Sequence, residues 1–326
     1  MKMMNTKSWL IFVVLSVAIF ATTWANKYQP PKPIERSHFI FYFDNPAYIG
    51  LSDSILNQTR LMLGKLLHDT LDYKAKVYII DDIDYFKRLI HGSFPDWGAA
   101  VAYPPRQLIA IKSPDKFNVG KSLAELLAHE YTHLVIASRC GFYRPPRWFD
   151  EGMAMRTSTE WGWADNLSMS KAAVFGKFLD LPDIEEVNRF NEDKAHVAYA
   201  QSYLTVRYFY DEYGINAVNR FLDKIAAGKS IDKAMIAATG SSYSKFEDEV
   251  EIYLSEHYNI VTLFTNTMYL WLGLAIIVVI GGFLKYHKRR QYYKKWKEEE
   301  KLQSTDFDYG DPDNPEQLDD DEPWLH

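Results

Sequence analysis

The spacing of hydrophobic and polar positions changes near the middle of the chain. In the first half, short apolar runs bounded by turn residues are typical of β-strands, and four of them lie at residues 38–43, 76–80, 98–103 and 107–112. The last two flank a pair of prolines and are expected to form a hairpin. Apolar positions with helical spacing predict helices at residues 51–68 and 85–90.

Beyond residue 151 the apolar spacing indicates helices alone. They are expected near residues 171–179, 196–213, 215–227, 230–238 and 243–257, and glycines separate the later ones. We find no internal repeat. A strand-rich half followed by a helical half predicts an α+β fold, in which a small mixed β-sheet with helices precedes an all-helical part.

A further helix is expected where the two halves meet. Ser122 and Glu125 have the spacing of a capping box, which predicts that the helix begins at Leu123. Gly141 is a suitable residue to end it. Apolar residues surround its middle turns and predict that the helix is buried; they are Leu123, Leu126, Leu127, Leu134 and Val135.

The helix contains the pattern HExxH, as His129-Glu130-Tyr131-Thr132-His133. Because a helix turns once every 3.6 residues, both histidines lie on one face, where they are placed to hold one metal ion. The alternative is an amphipathic helix whose histidines are merely capped or solvated. Since two histidines and a glutamate buried without a metal would be costly, the pattern favours a metal site.

A catalytic zinc ion needs a third protein ligand and one open coordination position. Glu151 is the candidate for this ligand, because it follows shortly after the Pro145-Pro146 turn that ends any preceding helix. The sequence thus predicts one Zn²⁺ at the seam between the two halves, with Glu130 able to reach a water bound to it.

The surrounding residues distinguish between zinc peptidase families. The metzincin pattern needs a glycine and a third histidine where this chain has Ile136 and Arg139, so that family is excluded. The segment Trp-Phe-Asp-Glu-Gly-Met-Ala at residues 148–154 resembles the ligand segment of the peptidase MA-like (gluzincin) families. A tyrosine segment at residues 199–203 is similar to a later segment of the same superfamily, and the resemblance extends over residues 39–258.

The resemblance implies a zincin-like fold with zinc bound by His129, His133 and Glu151. It also implies that Glu130 is the general base. The chemistry agrees, since a carboxylate can take the proton of a zinc-bound water and return it to the leaving amine.

A tetrahedral oxyanion needs a donor in addition to the metal. The resemblance implies that this donor is Tyr199. His196 is the alternative, because a histidine has this role in other HExxH enzymes, and Tyr199 would then be an ordinary core tyrosine.

Two departures from related families bear on specificity and on the histidine partners. Residues 98–102 read Gly-Ala-Ala-Val-Ala and lack the glutamate with which gluzincin aminopeptidases hold a free amino terminus, so an endopeptidase is expected. The strand remains a suitable edge for an extended substrate. Met155 occupies the place of an aspartate that orients a histidine in some HExxH enzymes, which leaves Asp150 as a weak candidate for that task.

Composition excludes some functions. Hydrophobic residues make up 47 % of the 326 residues and the net charge is −6, with no basic stripe outside the tail, so nucleic acid is not an expected partner. The one cysteine, Cys140, precludes an intramolecular disulfide and is expected to be buried or at a helix end. Together with an export signal, this favours a bacterial envelope protein.

Two apolar segments predict the topology. Residues 1–25 resemble a secretory signal cleaved after Ala25, with an uncleaved anchor as the alternative. A linker at 26–37 and an extracytoplasmic domain at 38–260 would follow. Residues 264–284 are apolar enough for one transmembrane helix. Because basic residues follow at once, the tail at 285–326 is expected in the cytoplasm, its basic part against anionic lipid and its acidic part disordered, with no partner evident.

These observations lead to two hypotheses. The first is a membrane-anchored zinc endopeptidase that acts on peptide or protein substrates outside the cytoplasmic membrane. The second is a catalytically inactive, peptidase-like binding or scaffold protein of the cell envelope. Glu130 favours the first, because an inactive scaffold has no chemical need for a general base.

Overall fold

The computed structural model describes residues 28–90, 95, 98–176 and 178–302. The chain forms two compact units, Met1–Asn266 and Thr267–His326. The expected signal peptide at residues 1–25 and the acidic part of the tail lie outside the described residues.

Five strands form one mixed sheet in the described part of the first unit. They are β1 (Ile34–Glu35), β2 (Phe39–Phe43), β3 (Ala75–Ile80), β4 (Ala100–Tyr103) and β5 (Leu108–Lys112). The strand order is β1-β2-β3-β5-β4, in which β2, β3 and β5 are parallel and both outer strands are antiparallel. The expected hairpin is confirmed, and β4 is an edge strand. β1 lies in the segment expected to be a linker, and it pairs with β2. The folded unit therefore begins before residue 38.

The helices of the first unit alternate with strands at first and then follow one another. They are α1 (Tyr48–Leu67), α2 (Ile83–Ile90), α3 (Leu123–Cys140), α4 (Arg147–Ser158), α5 (Trp163–Val174), α6 (Glu192–Ala226), α7 (Ile231–Thr239), α8 (Tyr243–His257) and α9 (Ile260–Asn266). A 3-10 helix spans Leu181–Arg189. The α+β class predicted from the spacing of apolar residues is confirmed.

The sheet separates two apolar clusters, because successive side chains of a strand point to opposite faces. On one face Phe39, Phe41 and Val77 pack with residues of α1 and α3 into the main core. On the other face Tyr78 and Ile80 pack with residues of α2. The main core continues into the helical half, so the sheet and the helices around α3 share one apolar interior.

Helices α4 and α6 approach each other closely at Gly152. A Cβ atom on this residue would lie 2.2 Å from the carbonyl oxygen of Ser202 and 2.6 Å from Cγ2 of Val206. Beside this contact, α4 buries Trp148 and Phe149 fully. The contact therefore requires glycine, and it determines how closely the backbones of α4 and α6 approach each other.

Two segments of the helical half differ from the expectation. A helix was expected near residues 171–179, but the helix in this region, α5, spans Trp163–Val174. Asp165 accepts the Gly162 amide at 2.9 Å at its start, and Gly176 follows its end with a φ of 60°. The expectation was wrong there because the cap outweighs a weak apolar period. In α6, the expected break is confirmed at Gly214, whose φ is 76°.

Helix α10 (Met268–Leu302) belongs to the second unit. Its segment from Leu270 is long and apolar enough to cross a membrane, by length and composition. The helix then continues through the basic residues that follow Leu284.

Candidate metal centre

Three side chains from α3 and α4 converge on one point. Nε2 of His129 lies 3.3 Å from Oε2 of Glu151, and Nε2 of His133 lies 3.5 Å from the same oxygen. The three ligand atoms all lie within 4.8 Å of one another. The structure thus brings together the three residues that the sequence predicted as ligands.

The spacing of these atoms suits a tetrahedral metal. Zinc binds histidine nitrogen at about 2.0–2.1 Å and carboxylate oxygen at about 2.0–2.2 Å, so ligand atoms along a tetrahedral edge are separated by roughly 3.3–3.5 Å. The observed distances of 3.3 and 3.5 Å match this edge. The residues therefore fit such an ion, and three protein ligands leave a fourth position open.

The capping box fixes where α3 begins and hence which residues face the site. The Ser122 amide donates to Glu125 Oε2 at 2.7 Å, and the Glu125 amide donates to Ser122 Oγ at 3.2 Å. The predicted start at Leu123 and the cap at Gly141 are both confirmed. Cys140 at the end of the helix is buried as expected, and burial raises the pKa of its thiol to about 12.

Each histidine turns its second ring nitrogen toward a carboxylate. Nδ1 of His129 lies 2.8 Å from Oε1 of Glu160, and Nδ1 of His133 lies 3.0 Å from Oδ1 of Asp150. Carboxylates in these places orient metal-binding histidines and increase their basicity. The structure supports Asp150 in the orienting task for which the sequence made it only a weak candidate.

Glu160 was missed by the sequence analysis. It follows the end of α4, where Thr159 adopts a left-handed φ of 57° and turns the chain back toward α3. Its carboxylate also accepts a hydrogen bond from Ser158 at 2.7 Å and forms an ion pair with Lys121. No spacing rule predicts this return, because it depends on the conformation of one residue after the helix.

The carboxylates around the histidines favour positive charge. Burial alone would lower the pKa of His129, but the charge of Glu160 and a hydrogen bond with Glu151 raise it to about 9. Burial likewise opposes charging of His133, but Asp150 and Glu151 raise its pKa well above the usual value. Burial disfavours ionised Glu151, yet Arg147 and His133 hold its pKa well below the usual value.

The formal charges of the side chains around the two histidines do not cancel when both histidines are neutral. With neutral histidines, four carboxylates face two basic side chains, which leaves an excess of two negative charges. The acidic residues are Glu130, Asp150, Glu151 and Glu160, and the basic residues are Lys121 and Arg147. A buried charge excess is costly unless it is compensated. Protonation of both histidines compensates it, as their raised pKa values indicate, and a divalent cation bound by the neutral histidines would take the place of those two protons.

Glu130 lies between the histidines and the edge strand. Its side chain is buried, and burial is the main reason that the pKa of its carboxyl is raised. The carboxylate also accepts a hydrogen bond from the backbone of Ala102 in β4. This places a carboxylate with a raised pKa beside the edge strand and the open side of the centre.

The centre opens into a cleft of about 320 Å³. Its lining residues come from β4, α3, α4 and α6, and Tyr199 is one of them. Burial is the main reason that the pKa of the Tyr199 hydroxyl is raised, and the charge of Glu151 adds to it. His196 does not line this cleft; its side chain is 60 % exposed and lies 4.0 Å from Glu192. Of the two expected oxyanion donors, the structure brings only Tyr199 to the site.

The family comparison agrees with this geometry. The family model of the Peptidase MA superfamily matches residues 62–263, more than half of the chain. The chain therefore belongs to the Peptidase MA superfamily, which supports a peptidase. The match includes all three converging ligands, Glu130 and Tyr199. No curated protein matches the chain.

Proposed function

We propose that the protein is a membrane-anchored zinc endopeptidase that hydrolyses peptide bonds outside the cytoplasmic membrane. The observation that carries this proposal is the convergence of His129, His133 and Glu151, with both histidine–glutamate distances at those of a tetrahedral edge, next to a buried glutamate in an open cleft. His129, His133 and Glu151 would hold the ion. When bound there, zinc supplies Lewis acidity and lowers the pKa of a bound water to about 7.

Glu130 acts as the general base and acid. It takes a proton from the attacking water and returns it to the leaving amine. Its raised pKa suits this exchange, because a proton acceptor works best when its pKa lies near the operating pH. The Tyr199 hydroxyl donates a hydrogen bond to the oxyanion that develops on the substrate carbonyl.

Strand β4 offers a binding edge for an extended substrate. Among the described strands β4 pairs with β5 alone, so its other edge is open. Residues 100–102 of this strand line the cleft. An added peptide strand would bind through main-chain hydrogen bonds. The absence of a carboxylate from residues 98–102 supports internal cleavage over recognition of a free amino terminus.

Helix α10 supports the proposed location. It is apolar enough to span a bilayer, and basic residues follow Leu284 directly. Since basic flanks remain in the cytoplasm, residues 26–260 face outward and the C-terminal tail faces inward.

Metal content and turnover together test the proposal. The exported domain purified without chelator is expected to contain about one zinc per chain and to cleave an unfolded protein substrate. Glu130→Gln should retain the zinc and lose turnover, whereas the matched control Glu251→Gln, on an exposed position of α8, should resemble wild type. A preparation without zinc would contradict the metal site. If wild type and Glu130→Gln both contained zinc and neither cleaved the substrate, the result would instead support the scaffold hypothesis.

A further inference from the structure

Arg147 contacts Glu151, the proposed third ligand, on the side away from the histidines. It is the first residue of α4 and lies one turn before Glu151, so its side chain extends alongside that carboxylate. Nη2 of Arg147 lies 2.6 Å from Oε1 of Glu151, whereas Oε2 faces both histidines. The two oxygens of one carboxylate thus face different partners.

The same guanidinium contacts the proposed oxyanion donor. Arg147 and Tyr199 line the same cleft, and the guanidinium lies close enough to oppose the rise in the pKa of the Tyr199 hydroxyl. An arginine can only donate, so the phenolic oxygen of Tyr199 is the acceptor when the two side chains form a hydrogen bond. The hydroxyl proton of Tyr199 is then directed toward another acceptor.

Contacts with the 3-10 helix hold Arg147 in this place. Its backbone amide donates to Oε1 of Glu185 at 2.7 Å, and Nη2 lies 3.4 Å from Oδ1 of Asn188. These contacts and the ion pair with Glu151 restrict the positions that the guanidinium can take. A planar guanidinium can serve two acceptors in fixed directions, which the point charge of a lysine cannot reproduce.

From these contacts we propose that Arg147 is a positioning residue with two tasks. It engages Oε1 of Glu151, so that the carboxylate binds the metal through Oε2 alone and the fourth position stays open. It also orients the Tyr199 hydroxyl as a donor toward the substrate oxyanion. This inference rests on the proposed function, because it assigns Arg147 a role in the same centre.

Cobalt(II) can report on the first task without any turnover. Co²⁺ replaces zinc in tetrahedral sites, and its visible absorption is strong in four-coordinate sites and weak in five-coordinate ones. We expect Arg147→Lys and Arg147→Gln to bind Co²⁺ about 10- to 100-fold more weakly than wild type, as is typical of changes to residues that support a ligand. The absorption of the bound ion should also weaken, because Oε1 of Glu151 becomes able to bind it.

A double-mutant cycle tests the second task. Arg147→Lys is expected to lower kcat about 10- to 100-fold with a smaller change in KM, as displaced catalytic groups do. In the Tyr199→Phe background the same substitution should lower kcat by a smaller factor, since the hydroxyl that Arg147 orients is gone and only the effect through Glu151 remains. A role limited to the fold or to the metal ligand would lower kcat by equal factors in both backgrounds.

The chain provides a matched control pair in the same two helices. Arg156 of α4 lies over the ring of Tyr210 of α6 at 4.2 Å, and neither residue lines the cleft. Arg156→Lys and Tyr210→Phe are expected to leave cobalt absorption and kcat near wild type. Thermal unfolding of every variant identifies those that do not fold, and Arg147→Lys is then judged against Arg156→Lys.

The outcomes separate this inference from the proposed function. If wild type binds metal and turns over substrate, normal cobalt absorption in Arg147→Lys overturns the first task, and equal losses of kcat in both backgrounds overturn the second, while the proposed function stands. If wild type itself binds no metal, both are overturned. Weakened absorption together with coupling to Tyr199 supports the inference.

Discussion

The close contact between α4 and α6 makes Gly152→Ala an informative perturbation. The added Cβ atom would lie 2.2 Å from the Ser202 carbonyl oxygen, although non-bonded carbon atoms approach their neighbours to only about 3.5 Å. One helix must therefore move away by about 1 Å. The carbonyl is part of the α6 backbone, so no side-chain rotation relieves the contact.

The expected loss of stability follows from two opposing effects. Overpacking in a well-packed interior costs about 1–3 kcal/mol, and the severity of this contact favours the upper end. Replacing glycine by alanine in a helix returns about 1 kcal/mol. The net loss of about 2 kcal/mol corresponds to a fall in Tm of roughly 4–8 °C for a domain of this size. Because Glu151 is the adjacent residue, metal affinity should fall as well.

Thermal unfolding of the zinc-loaded domain measures this effect, and a chelator competition measures the metal affinity. Gly50→Ala is the matched control, since a Cβ atom on this α1 residue meets nothing within 4 Å and should leave Tm unchanged or slightly raised. A Gly152→Ala variant as stable as Gly50→Ala would refute the close approach of α4 and α6.

Three further predictions concern the centre and the topology. Glu160→Gln should weaken zinc binding about 10- to 100-fold, because it weakens the support of His129, and a chelator competition with no change would refute this role. Tyr199→Phe should keep its zinc and lose about 100- to 1000-fold in kcat, while His196→Ala stays near wild type; the opposite result in steady-state kinetics would exchange the two residues. Protease added to intact spheroplasts should digest the domain and spare an epitope placed after Lys285, and protection of the whole chain would contradict export.

Periodic patterns predicted the elements whose determinants are local. The capping box at Ser122, the hairpin around Pro104 and the break at Gly214 each depend on a few adjacent residues, and all three are confirmed. The start of α5 was wrong because an aspartate cap, not apolar spacing, decides it. The strand order was not predicted, because it depends on pairings between residues far apart in the sequence.

The same distinction applies to the candidate centre. Spacing alone placed His129 and His133 on one face, and the structure brings Glu151 to them. Glu160 and the contact of Arg147 with Tyr199 were not foreseen. The position of Glu160 depends on a left-handed residue after a helix, and the contact of Arg147 depends on the packing of α4 against α6. Neither feature produces a periodic pattern in the sequence.

The contacts between α3 and α4 bring together a centre whose charged residues lie close to one another along the chain. The four carboxylates and two basic side chains of the charge count all lie within residues 121–160. Few intervening residues need to be ordered to bring the ligands together, so the loop-closure entropy is low. This stretch of two helices could be transferred to another protein as one continuous segment. A recipient scaffold would need to supply an edge strand beside Glu130, a close-packed helix against Gly152 that carries the tyrosine, and partners for Arg147 like Glu185 and Asn188.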